Sequence, residues 1–144
     1  METEISPYYR QVHYYETDRM GIVHHSNYIR WMEEARFDYM RRAGISYAVM
    51  EQGGIIMPVV DVTCRYHASA RFDELIRIEV KLTAFNGVRC AFSYEMFLEK
   101  GTLACTGTSS HCFLDEGSRM PVNLKRRDPE FYTRALALLE ETDS

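Results

Sequence analysis

The chain has 144 residues and a mass of 16.9 kDa, so residues 1–144 are expected to form one domain that buries about two thirds of its unfolded surface without disulfides or metal. Hydrophobic residues make up 46% and charged residues 26%, which excludes a disordered chain. Seventeen Lys+Arg against twenty-one Asp+Glu leave a formal net charge of -4, the wrong sign for a nucleic-acid-binding domain.

Tyr8 to Tyr15 reads as a strand, and Glu16 to Ser26 as a loop containing Asp18 and Gly21. From Asn27 to Ala43 the spacing turns helical. Tyr28, Met32, Ala35, Tyr39 and Ala43 share one face, with Ile29, Trp31 and Met40 beside it; Arg30, Glu33, Glu34, Arg41 and Arg42 stand opposite. Ser26 or Asn27 is the expected N-cap, and Gly44 the C-terminal cap. Ser46 to Gln52 fits a short second helix that Gly53-Gly54 ends. The period then changes to two. Strands are expected over 58–66, 75–82, 88–99 and roughly 103–114, each with one apolar face. Asn86-Gly87 and Lys100-Gly101 supply the hairpin turns. Asp128-Pro129 opens a C-terminal helix to about Glu141.

Strand, long helix, four strands and short helix make an α+β arrangement, a five-stranded antiparallel sheet wrapped around one long central helix. One helix cannot cover five strands, so a homodimer or homotetramer is expected. No apolar run reaches the roughly 18 residues of a membrane span, and the acidic start, Met1-Glu2-Thr3-Glu4, is unlike a secretory leader. A cytoplasmic protein is expected. Cys64, Cys90, Cys105 and Cys112 form no C-x-x-C pair and fall in strand-like segments, so they read as buried free thiols in a reducing compartment. Ten Tyr, seven Phe and one Trp are an excess of rings, enough for a core, an apolar pocket or both.

The stretch Tyr14 to Tyr28 carries the chemistry. It places a carboxylate, Asp18, a glycine turn and two histidines just before an apolar helix. The start of a helix offers unpaired N–H groups and a partial positive charge, which stabilise an oxyanion developing on a carbonyl. A carboxylate nearby can act as nucleophile or as base on water. On spacing alone, a turn or cap role for Asp18 fits as well.

The residues Tyr14, Thr17, Asp18, Gly21, Val23 and Tyr28 follow the pattern Tyr-x-x-Thr-Asp-x-x-Gly-x-Val-x-x-x-x-Tyr. This resembles the 4-hydroxybenzoyl-CoA thioesterase family of hotdog-fold acyl-CoA thioesterases. Asn27-Tyr28, Glu34-Ala35-Arg36, Pro58-Val59-Val60 and Ala70-Arg71-Phe72-Asp73-Glu74-Leu75 add to the likeness, which spans roughly residues 8–120. The resemblance implies a hotdog fold and hydrolysis of an acyl-CoA to a free acid and coenzyme A. Asp18 takes the place of the catalytic carboxylate, as nucleophile or as general base. His25 stands where a backbone N–H polarises the thioester carbonyl. Its side chain matches a histidine of the bacterial subgroup associated with the Tol-Pal operon, a candidate acid or orienter.

The substrate-binding positions implied are Gly21, Val23, Ser26, Asn27, Tyr28, Pro58, Val59 and Arg89. Trp31, Met32 and Met57 join Tyr28, Pro58 and Val59 as candidate lining of an interface pocket. Some family members carry a basic run after the third strand; here only Arg89 remains, with Lys81, Arg65 and Lys125-Arg126-Arg127 as other candidates for the phosphates. A thioester of acyl carrier protein is the other substrate form to consider. No cofactor is implied, because coenzyme A is part of the substrate. No metal is expected, since His24 and His25 are adjacent and no third ligand follows at helical spacing. His13, His67 and His111 read as structural, and Glu33 and Glu34 as partners for Arg30, Arg36 or Arg41. Two other functions compete: a hotdog dehydratase that pairs His25 with Glu33 or Glu34, and a non-catalytic acyl-CoA binding module.

Overall fold

The computed structural model describes residues 5–143. A first strand, β1 (Tyr8–Gln11), leads into a 3-10 turn at Tyr14–Glu16. Two helices follow, α1 (Ser26–Arg42) and α2 (Tyr47–Gln52). The strands β2 (Ile55–Ile56), β3 (Val59–Tyr66), β4 (Leu75–Phe85), β5 (Arg89–Phe97), β6 (Leu103–Cys112) and β7 (Leu114–Asp115) come next. The helices α3 (Leu124–Arg127) and α4 (Pro129–Asp143) close the chain.

The strand expected over 8–15 stops at Gln11. The Glu16 carboxylate accepts from the His13 N–H at 2.7 Å and draws the chain into the turn. The helix α1 starts one residue early, with His25 as N-cap in place of Ser26 or Asn27. The reason is that His24 Nδ1 accepts from the Ser26 N–H at 3.3 Å and serves an orphan amide that a Ser or Asn cap would otherwise serve. Its buried residues, Asn27, Tyr28, Trp31, Met32, Ala35, Arg36, Tyr39 and Met40, recur at helical spacing. Gly44 ends it with φ +84, a left-handed conformation that costs glycine nothing.

Five strands form one antiparallel sheet in the order β1-β4-β5-β6-β3. The helix α1 lies on one face of it. Tyr39 Oη accepts from Leu82 N–H of β4, and Arg36 donates to Tyr94 Oη of β5. The closest approach is at Gly107 of β6, where an added Cβ would overlap Met32 Cε and sit 2.6 Å from the Thr63 carbonyl. Much of the ring excess is core: Phe85, Phe113 and Phe131 meet with centroids 6.0 to 6.1 Å apart where α4 packs on the sheet. The two-residue strands β2 and β7 pair with each other; segments that short carry no period to read. The basic run becomes α3, with Arg127 paired to Asp115 at 2.8 Å.

The strand β3 is an edge, and it is the least covered element of the sheet. Val59 and Val60 are 50% and 45% exposed. All four cysteines are free; Cys90 and Cys105 are buried, Cys64 and Cys112 only half-buried. Among the described residues no helix is long and apolar enough to cross a membrane.

Candidate active site

The loop between the 3-10 turn and α1 closes on itself. Thr17 bridges Val23, Asp18 N–H donates to the Ile22 carbonyl at 2.9 Å, and Gly21 N–H donates to the Asp18 carbonyl at 3.0 Å. Gly21 sits at φ +78, where a side chain would be strained. Asp18 is half-buried at the turn. Its Oδ1 accepts from the Met20 N–H at 2.8 Å. Among the described residues its Oδ2 has no hydrogen bond and no cation forms an ion pair with it. One carboxylate oxygen is thus held and the other is free to act.

The facing wall comes from the segment after β3. Val23 N–H donates to the Ala70 carbonyl at 2.9 Å, and Ala70 N–H donates to Tyr28 Oη at 3.2 Å. Tyr66 Oη donates to the His25 carbonyl at 3.3 Å, and its ring meets Tyr28 edge-on at 5.3 Å. Burial and the neighbouring Cys64 thiol raise the Tyr66 pKa, so it remains a neutral donor. A pocket of about 350 Å³ results. Asp18, Met20, Ile22, Val23, His24, His25 and Tyr28 line one side, and Tyr66, His67, Ala68 and Ser69 the other.

The amides at the start of α1 are nearly all used. His24 N–H donates to the Glu16 carbonyl at 2.8 Å, Ser26 N–H to His24 Nδ1, Asn27 N–H to the His24 carbonyl at 3.0 Å and Tyr28 N–H to the His25 carbonyl at 3.3 Å. The His25 N–H makes no hydrogen bond among the described residues. It lies at the positive end of a 17-residue helix, in a residue that lines the pocket. Behind the loop stands Glu16, which is buried. Its carboxylate accepts from Trp31 Nε1 at 3.0 Å and from Arg10 at 2.8 and 3.0 Å. Burial raises its pKa, but the hydrogen bonds from His13 N–H, Trp31 and Arg10 outweigh that and hold it below the ordinary carboxylate value.

The pocket gathers Asp18, Val23, His25 and Tyr28 from the positions expected by sequence. Others stand elsewhere. Gly21 shapes the turn without lining the pocket, and Ser26 Oγ is spent on His24 Nδ1 at 2.9 Å. Asn27, Trp31 and Met32 are buried and stand outside its lining. Pro58 and Val59 lie at the opposite end of β3 from Tyr66, and Arg89 is exposed at the start of β5. His67 was expected to be structural, yet it stands in the wall; the alternation that made it look isolated says nothing of where a strand ends. Tyr66 is the last residue of the strand expected over 58–66, and nothing in that alternation marks it for the pocket. Glu34 pairs with Arg10 of β1 at 2.9 Å, not with a helix arginine, and Glu33 reaches Arg36 at 4.0 Å.

A sheet of this order wrapped on one long helix defines the hotdog class of thioesterase-like folds. The chain belongs to the thioesterase-like superfamily, whose family model matches residues 12–136. The structure of a DHNA-CoA thioesterase from Staphylococcus aureus is 37% identical and superposes with a TM-score of 0.87, covering 95% of this chain and 94% of that one. The Bacillus subtilis protein YneP is 33% identical over 123 residues, 85% of this chain and 89% of its own length. The acyl-CoA thioester hydrolase YbgC of Escherichia coli O6:H1 is 27% identical over 103 residues, 72% of this chain and 77% of its own length.

Proposed function

We propose that the chain hydrolyses acyl-CoA thioesters to a free acid and coenzyme A, with Asp18 and the His25 N–H as the working pair. The observation that carries this is their convergence: Asp18 and His25 line one pocket, and among the described residues one carboxylate oxygen of the first and the backbone N–H of the second make no hydrogen bond. The amide receives the charge that develops on the thioester oxygen. Asp18 either takes the proton of the water that attacks the carbonyl carbon, or attacks that carbon itself to form a mixed anhydride, which water hydrolyses once the thiol has left, freeing the acid and restoring the carboxylate. The C–S bond then breaks and the thiolate leaves with a proton, for which the imidazoles of His24 and His25 are the nearby donors. The Staphylococcus relative's named substrate and the rings of Tyr28 and Tyr66 favour an aromatic acyl group.

The bare edge of β3 supplies a reason for two chains to pair. A centred antiparallel pairing of two β3 strands sets Val59 of one chain opposite Tyr66 of the other. That brings the expected Pro58 and Val59 to the pocket across a homodimer. Sedimentation is expected to show a dimer or a dimer of dimers. A stable monomer would leave Pro58 and Val59 outside the site.

The dehydratase reading needs a histidine paired with a helix carboxylate. Glu34 is already bound to Arg10 and Tyr8, and Glu33 is 62% exposed. The test is thiol release from a panel of aromatic, short-chain and medium-chain acyl-CoAs, beside absorbance-detected hydration of an enoyl-CoA. Release is expected, fastest with an aromatic acyl group. Hydration without release from any thioester would overturn the assignment, and tight binding with neither reaction would point to the non-catalytic module.

A further inference from the structure

The resemblance has Asn27 touching substrate, but the residue is only 4% exposed and its side chain faces backbone carbonyls. Its Nδ2 donates to the Glu16 carbonyl at 3.0 Å and to the His24 carbonyl at 3.2 Å. Its Oδ1 accepts from Arg30 at 3.4 Å. The flipped amide would set an acceptor against two carbonyl oxygens and a donor against a guanidinium, so one orientation alone satisfies the chemistry.

The same residue's backbone N–H also donates to the His24 carbonyl. Two donors of Asn27 therefore fix that carbonyl toward the start of the helix. A trans peptide sets its N–H opposite its C=O, and no cis peptide occurs among the described residues. The His25 N–H is thereby turned away from the helix. The Glu16 carbonyl, gripped by Asn27 Nδ2 and by the His24 N–H, ties this peptide to the segment that leads to Asp18.

The geometry points to Asn27 as a positioning residue, whose buried carboxamide clamps the His24–His25 peptide so that its N–H and the Asp18 carboxylate address one substrate carbonyl. The inference rests on the hydrolytic reading above and adds what aims its amide. Glu16 backs the clamp, because its carboxylate joins β1, the turn and α1 through Arg10, His13 N–H and Trp31.

Asn27→Asp keeps the side-chain volume and turns the double donor into an acceptor. The expected result is a kcat about 30-fold lower with KM within about 3-fold, the pattern of an interaction made only in the transition state. Asn27→Ser, whose hydroxyl serves one carbonyl, is expected to fall between the two and keeps the test open should the aspartate variant fail to fold. A spectroscopic readout separates aiming from general damage. A ketone analogue of the acyl-CoA, with methylene in place of sulfur and a 13C-labelled carbonyl, is bound to each protein and its C=O stretch recorded. The wild type is expected to shift the band to lower frequency and the Asn27 variants to lose that shift. A shift retained in both variants, or unchanged kcat, overturns the clamp and leaves the hydrolytic reading intact. No shift even in the wild type removes the amide's role and the clamp with it.

Discussion

Asp18→Asn is expected to lower thiol release from the preferred acyl-CoA by about a thousandfold, at unchanged affinity for a non-hydrolysable analogue. The substitution is nearly isosteric, and the amide oxygen can still accept from the Met20 N–H that now binds Oδ1. The loop therefore keeps its turn, its bridge from Thr17 to Val23 and its seat against Ala70. The loss is chemical: a carboxamide neither attacks a thioester nor takes a proton from water. Thiol release measured with a chromogenic disulfide reads the rate, and calorimetry with the analogue reads the binding. Turnover near the wild-type rate would remove Asp18 from the mechanism whatever the other residues do. A loss of both binding and thermal stability would instead make it a structural turn residue, the alternative its spacing alone allows.

The fold was legible because its elements are long and periodic. The helical stripe from Tyr28 to Met40 and the alternation in β3, β4 and β5 each outlast the noise of single residues. The site was half legible. Asp18, Gly21 and Val23 lie in one short loop, so local sequence carries them. Tyr66 and His67 reach the pocket only because β3 ends beside that loop, a fact of tertiary closure. Glu16 shows the same limit. Its partners Arg10 and Trp31 lie six and fifteen positions away on different elements, and no local pattern marks a loop glutamate as buried. Asn27 stands beside the pocket in the chain, but its carboxamide faces the Glu16 and His24 carbonyls. A polar residue at the start of a helix can face solvent, substrate or backbone, and only the packing of Glu16 beneath it decides.

His111 is the residue whose surroundings the sequence hid most completely, and it sets the second large effect. It is fully buried, at the end of a polar chain through the core. Arg36 donates to Tyr94 Oη at 3.2 Å, Tyr94 Oη shares a hydrogen with Ser109 Oγ at 2.6 Å, and Ser109 Oγ lies 2.8 Å from His111 Nε2. Arg36 donates at one end, so each hydroxyl can pass its hydrogen along and His111 Nε2 accepts the last one. Burial and then the Arg36 charge push the His111 pKa down to about 4; the Pro58 and Met57 carbonyls and Asp61 oppose this without cancelling it. An unfolded chain protonates this ring near its ordinary value of 6.5. Between those two values the unfolded state therefore holds a proton that the folded state lacks, and stability falls as the pH falls. The loss across the window amounts to about 3 kcal/mol. As the pH falls below 4.5, the ordinary value for a glutamate, Glu16, whose pKa is depressed in the fold, adds a further loss. Urea unfolding at fixed protein concentration, at pH 7 and again at pH 4, is expected to show this loss in the wild type. In His111→Gln the fall over the same interval is expected to be smaller by about 3 kcal/mol, since glutamine takes up no proton in either state. Comparing each protein with itself cancels any packing defect of the variant. Parallel losses in the two proteins would show that the core takes up the charge without cost, and that the chain from Arg36 does not hold His111 neutral.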